Sequence, residues 1–229
     1  MNGPSLFRGL VLTIGLSALS ASALATDIVF EHMDIDIDYS GGAGGTMTLD
    51  FRTYSPMSAG VPTNNDDYSP AGNPIIVPVS STYVVPGSAS WSCLGAPGST
   101  VYRLTQTLTA GEVWLGLNTQ DVPAATFVNN KVAFQLVSVV SAPAGARFTL
   151  YSTNSFGTPT FLLNSTAGAC NIASYPSGGL TNNVHTHAFW AFSAPGTYVL
   201  RFKATGTLVA GLGGGTKTSG DVDVTFKVQ

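Results

Sequence analysis

The chain carries three histidines: two form His185-Thr186-His187, and the third opens His32-Met33-Asp34. Residues two apart in an extended strand project from one face, about 7 Å apart along the backbone, which lets two imidazoles converge on one cation. The apolar alternation places these groups. Met33, Ile35, Ile37 and Tyr39 share one face of a strand, and His32, Asp34, Asp36 and Asp38 share the other. Over 184–192, Val184, Trp190 and Phe192 share a face with Thr186 and Ala188, which turns His185 and His187 away from the core. If the two strands are neighbours in one sheet, His32, Asp34, His185 and His187 surround a single cation with three nitrogens and one oxygen. That set suits zinc, or copper with Met33 or solvent completing the sphere. Histidines that face solvent and bind nothing fit the same pattern, and the residues alone leave both readings open.

Asp34, Asp36 and Asp38 form a second candidate, since carboxylates suit calcium. They alternate with Ile35 and Ile37 in a strand, however, and calcium loops need a sharply bent backbone. The competing reading is a solvated edge that discourages strand-to-strand association. Nucleophilic catalysis finds no G-x-S-x-G elbow, and the only glutamates for a facing carboxylate pair are Glu31 and Glu112. The chain is therefore expected not to be an enzyme. Trp91, Trp114 and Trp190 offer material for a sugar-stacking surface, although Trp190 lies on the core face and reads as packing.

The elements that must position these residues are strands. Tyr198, Leu200, Phe202 and Leu208 point one way over 198–208, and Val222, Val224, Phe226 and Val228 do so in the last segment. The N-terminal strand should fold back through the glycine-rich turn 41–45 onto Met47, Leu49 and Phe51 as a hairpin. Further strands are expected near 101–108, 112–117, 131–140, 146–152 and 159–164. The polar, turn-rich stretch near 55–75 reads as a long surface loop. No helix-period window follows residue 25. With 26 Gly, 13 Pro and only 9% charged residues, the composition suits many short strands joined by turns. These features predict an all-β protein, an immunoglobulin-like β-sandwich of about ten strands.

The first 25 residues read as a secretory signal: Arg8, an apolar run from Leu10 to Leu19, then small residues ending Ala23-Leu24-Ala25. Its removal from 229 residues leaves 204, residues 26–229, enough for one β-sandwich domain, and loss of Arg8 takes the formal charge from −3 to −4. No basic cluster is available to neutralise a phosphate backbone, so nucleic acid is not an expected partner. The residue directly after the cleavage point is Thr26 rather than a cysteine, and no apolar stretch closes the chain, so membrane insertion after signal removal is not expected. The two cysteines, Cys93 and Cys170, are expected to pair as a disulfide in an oxidising compartment.

The run His185-Thr186-His187-Ala188-Phe189-Trp190-Ala191-Phe192-Ser193-Ala194-Pro195-Gly196-Thr197-Tyr198 resembles the surface-anchored repeat domain of actinobacterial wall proteins, the choice-of-anchor M domain. The H-x-H-x-x-W-x-F-x-x-P-G-x-Y pattern carries the resemblance, and His32-x-Asp34 and the segments 113–119 and 161–168 extend it. It implies an extracytoplasmic, non-enzymatic β domain of a family associated with metal uptake. Phe189 departs from that family's usual asparagine, and no C-terminal anchor is present. The expectation is thus a secreted or periplasmic binding module whose partner is a metal ion, zinc or copper, or a cell-envelope component. The alternatives are a structural or adhesive surface protein and a carbohydrate-binding module.

Overall fold

A computed structural model describes residues 27–29, 31–54 and 65–229 of the chain. The signal segment expected over 1–25 lies outside the described residues, as does 55–64 of the expected loop. Alternating sequence becomes strand throughout, and the helices among the described residues are single 3-10 turns of three residues. Sixteen strands form among the described residues where about ten were expected, because several short connections also pair at sheet edges.

Numbered in chain order, the first sheet comprises β1 (His32–Tyr39), β2 (Met47–Tyr54), β3 (Asn65–Tyr68), β7 (Trp114–Asn118) and β12 (His185–His187), in the order β12-β7-β1-β2-β3. β1 and β2 make the expected hairpin, with His32 opposite Tyr54 and Tyr39 opposite Met47. Its turn uses Gly41 and Gly42 at φ of 84° and 67°, a backbone region that side chains with a Cβ disfavour. β7 lies parallel to β1. β3 falls inside the stretch read from sequence as loop; its four residues pair with the end of β2 despite their polarity.

The second sheet has the order β10-β9-β13-β6-β5, from β5 (Thr82–Val84), β6 (Thr100–Leu104), β9 (Phe148–Thr153), β10 (Pro159–Asn164) and β13 (Phe189–Phe192). The third runs β11-β8-β14-β16-β4, with β15 (Thr216–Thr218) paired to β14. Its strands are β4 (Ile75–Val77), β8 (Lys131–Ser141), β11 (Leu180–Thr181), β14 (Gly196–Thr207) and β16 (Val222–Val228). The sheets enclose one core in a β-sandwich. Ile35, Phe51 and Leu115 of the first sheet, Phe148 and Trp190 of the second, and Phe202 and Phe226 of the third are all fully buried in it.

Entry into β14 explains the Pro-Gly-Thr-Tyr sequence. The Tyr198 hydroxyl donates to the Ala194 carbonyl at 2.8 Å and accepts from its N–H at 3.2 Å, the tyrosine corner of immunoglobulin-like sandwiches. Cys93 and Cys170 are bonded, with Cα atoms 5.3 Å apart. The bridge fastens the connection carrying Trp91 and Leu94, which packs on Tyr151 and Ala191 as a second, smaller core outside the second sheet. Among the described residues no helix is long and apolar enough to cross a membrane.

Two expectations about strand faces need correction. Residues 184–192 are not one strand: the chain leaves the first sheet after His187 and joins the second at Phe189, so the histidines and Trp190 belong to different sheets. A uniform alternation concealed this crossing. Nor is the aspartate row of β1 a solvated edge. β1 is the middle strand of five, and Asp34 and Asp36 are 0% and 1% exposed.

Candidate metal centre

The two histidine motifs meet, but not as adjacent strands. β7 lies between β1 and β12, so side chains from the outer two must reach across a gap of two strand spacings, about 9.5 Å. The register shows how they do so. Asp34 lies opposite Gly116 on one side of β7, and His187 lies opposite the same Gly116 on the other. A Cβ at Gly116 would fall 2.1 Å from Asp34 Oδ1 and 2.9 Å from His187 Cε1, well inside contact distance. The missing side chain is the space in which the flanking groups converge.

One donor atom from each of His32, Asp34, His185 and His187 lies within 4.8 Å of the others. His185 Nε2 is 3.4 Å from His32 Nε2 and 3.2 and 3.1 Å from the two Asp34 carboxylate oxygens. Ligands at about 2.0–2.1 Å from a tetrahedral ion stand roughly 3.3 Å from one another, so the separations of His185 from His32 and from one Asp34 oxygen are of the length of such edges. The buried cluster could hold a metal ion.

The turn before β12 fixes this register. Thr119 accepts the Val184 N–H on its hydroxyl at 3.1 Å and donates that hydroxyl to the Thr181 carbonyl at 2.7 Å. Its backbone N–H bonds the Val184 carbonyl. Trp114, on the same face of β7 as Gly116, stacks on the His187 ring with centroids 3.9 Å apart and planes within 10°. The indole N–H donates to the Gln106 carbonyl at 3.1 Å, and the Gln106 side chain accepts from Thr153 of β9. Thr119 and Gly116 were not singled out as site residues from sequence, and Trp114 was read there as material for a sugar-stacking surface rather than as support for a histidine. A glycine within an otherwise apolar strand was the one available signal.

Burial acts on two of the imidazoles. It pushes His32 below the usual imidazole range, an effect the Asp34 carboxylate opposes and the neighbouring His185 reinforces. His187 is lowered to about 4, first by burial and then by the other two imidazoles, with Asp34 and the Leu115 backbone pulling the other way. Both nitrogens of His187 are buried without a hydrogen-bond partner of ordinary geometry. Neutral imidazole is the form that ligates, and a buried ring whose nitrogens are both unsatisfied costs stability unless something fills the space beside it.

The aspartate row divides between two clusters. Asp34 belongs with the histidines, whereas Asp36 and Asp38 face Arg52, with Arg52 Nη2 at 3.0 and 3.7 Å from their carboxylates. Arg52 also pairs with Asp121. The three-aspartate calcium candidate, already disfavoured by its strand, is therefore split, and a guanidinium lies among the second set. The tryptophans do not form a sugar platform: Trp91 and Trp190 are buried, and Trp114 stacks on His187. Phe189 stacks on Tyr151 at 4.9 Å in the second sheet, while His187 gains its aromatic support from Trp114.

No family model matches the chain, and no curated protein is significantly similar to it.

Proposed function

We propose that the mature chain is an extracytoplasmic, non-enzymatic binding module that takes one transition-metal ion, zinc or copper, through His32, Asp34, His185 and His187. The observation that carries this reading is the convergence of four donors from two strands over a glycine in a third. His187 supports it, because neither ring nitrogen has a hydrogen-bond partner of ordinary geometry, whereas buried polar groups of a purely structural cluster are generally paired. Four protein donors fill a tetrahedral sphere, the pattern of a holding site rather than of a catalytic metal with an open position. The disulfide fits an oxidising compartment.

The test is metal analysis of untagged protein, followed by titration of the metal-free form with zinc(II) and copper. One ion per chain and a rise in melting temperature are expected, since an ion that binds only the folded state stabilises it by mass action. A His185→Ala/His187→Ala double variant should lose the rise. A wild type that takes up neither ion and melts at the same temperature in both would overturn the reading in favour of a structural or adhesive protein.

A further inference from the structure

We infer that this centre is an exchange site, handing its ion to an incoming chelating group through replacement of His185, rather than a sealed structural lock. The inference rests on the metal-binding reading above. The four donors are unequally covered: Asp34 is 0% and His32 6% exposed, and the ring nitrogens of His187 are buried. The His185 side chain keeps 25% of its surface open to solvent.

Position in the fold matches this asymmetry. β12 is three residues long and forms the edge of its sheet, so one side carries no further strand among the described residues. His187 shares that strand but is held, its ring flat on an indole that is itself bonded to Gln106. Asp34 and His32 belong to the central strand, paired on both sides. His185 is the donor that combines an edge-strand position with a solvent-facing side chain, and its ring contacts with His32 and His187 lie within the cluster itself.

Replacement at that corner is a balanced ligand exchange. The bond from the ion to His185 breaks as one to the incoming nitrogen, oxygen or sulfur donor forms, the imidazole departs neutral, and the oxidation state is unchanged. The partner this fits is a multidentate acceptor, a small chelator or a protein presenting its own histidine, carboxylate or thiolate groups. The remaining three donors are then displaced in turn.

The experiment follows transfer from protein loaded with zinc(II), or with copper if only copper binds, to a chromogenic chelator over a range of chelator concentrations. The wild-type rate should rise in proportion to chelator concentration. His185→Ala should still take up one ion per chain and surrender it at least tenfold faster, and His185→Gln, which better preserves the volume of the ring, should agree if the alanine variant folds poorly. A wild-type rate independent of chelator concentration overturns exchange at His185. So does failure of well-folded His185 variants to bind at all, which would make His185 as indispensable as His187. A wild type that takes up no ion is a different result and removes the metal-binding reading itself.

Discussion

At the scale of single residues, the centre depends on an absence and on an excess. The absence is the Cβ of Gly116. Gly116→Ala would drive a methyl group against the Asp34 carboxylate, the His187 ring and the Thr186 carbonyl, which lies 3.0 Å from that Cβ. Backbone on one side and packed donors on the other leave little room to yield, so we expect destabilisation of about 1–3 kcal/mol and loss of metal-induced stabilisation, both read from thermal melts. The excess is the polarity of His187, whose buried nitrogens find no partner of ordinary hydrogen-bond geometry, although the Leu115 backbone acts on the ring. Replacing it with an apolar residue of similar volume, His187→Leu, removes an unsatisfied group worth about 1–3 kcal/mol and loses some stacking on Trp114. The metal-free variant should therefore be about 1 kcal/mol more stable than the metal-free wild type, while gaining nothing from added zinc or copper. Equal or lower stability in urea unfolding would show that His187 is satisfied in a way its geometry does not reveal.

At the scale of elements, the second sheet carries a testable feature of its own. Tyr151 of β9 is fully buried between Trp91 and Phe189 and receives a hydrogen bond from Arg103. Burial pushes its hydroxyl up to about 12, with Arg103 opposing the shift. The folded protein thus keeps a proton over pH 10–12 that the unfolded chain gives up. Stability is intact below pH 10 and falls as pH rises through that window, by about 3 kcal/mol for a shift of this size. Urea unfolding at pH 9 and at pH 11.5 should show a smaller loss for Tyr151→Phe than for wild type. An identical loss would mean that the alkaline sensitivity arises from other groups. The strands themselves were legible in the sequence wherever one face is apolar: Tyr198, Leu200 and Phe202, or Val224, Phe226 and Val228, are buried as their alternation requires. That His32, Asp34, His185 and His187 come together was legible as well, because spacing of two fixes the face. What alternation could not supply was strand order. It placed His185 and Trp190 in one strand, missed that β7 separates the two motifs, and treated Asp36 as exposed because it carries no information about which strand is central. Gly116 went unassigned, and Trp114 was given a different reading, because their places beside His187 come from register between strands distant in sequence.

At the scale of the whole molecule, the centre lies where the chain passes between sheets. β12 belongs to the first sheet, and one residue later, past Ala188, β13 begins in the second. The Trp190 indole of β13 reaches back to donate to the Leu115 carbonyl of β7, at 3.2 Å in the core. An ion shared by β12 and β1 would therefore fasten an edge strand to the middle of its sheet, and through β7 and Trp190 it would bear on the crossing that joins the layers. In the metal-free protein β12 is held by three residue pairs to β7 and by the Thr119 turn, so it should open locally at a cost well below that of global unfolding. Binding raises the cost of any opening that releases the ion by RT ln(1 + [L]/Kd), about 2.7 kcal/mol at a hundredfold excess over Kd. Amide hydrogen exchange with and without metal should accordingly slow by roughly a hundredfold for β12 amides. Residues of β8 and β14 that exchange only by global unfolding should slow by the same factor, and other local openings, such as those of the 209–215 turn, should be unchanged. Protection of the 209–215 turn equal to that of β12 would mean that both exchange through one common opening and that β12 has no local opening of its own, and protection absent from β12 would show that the ion is held elsewhere.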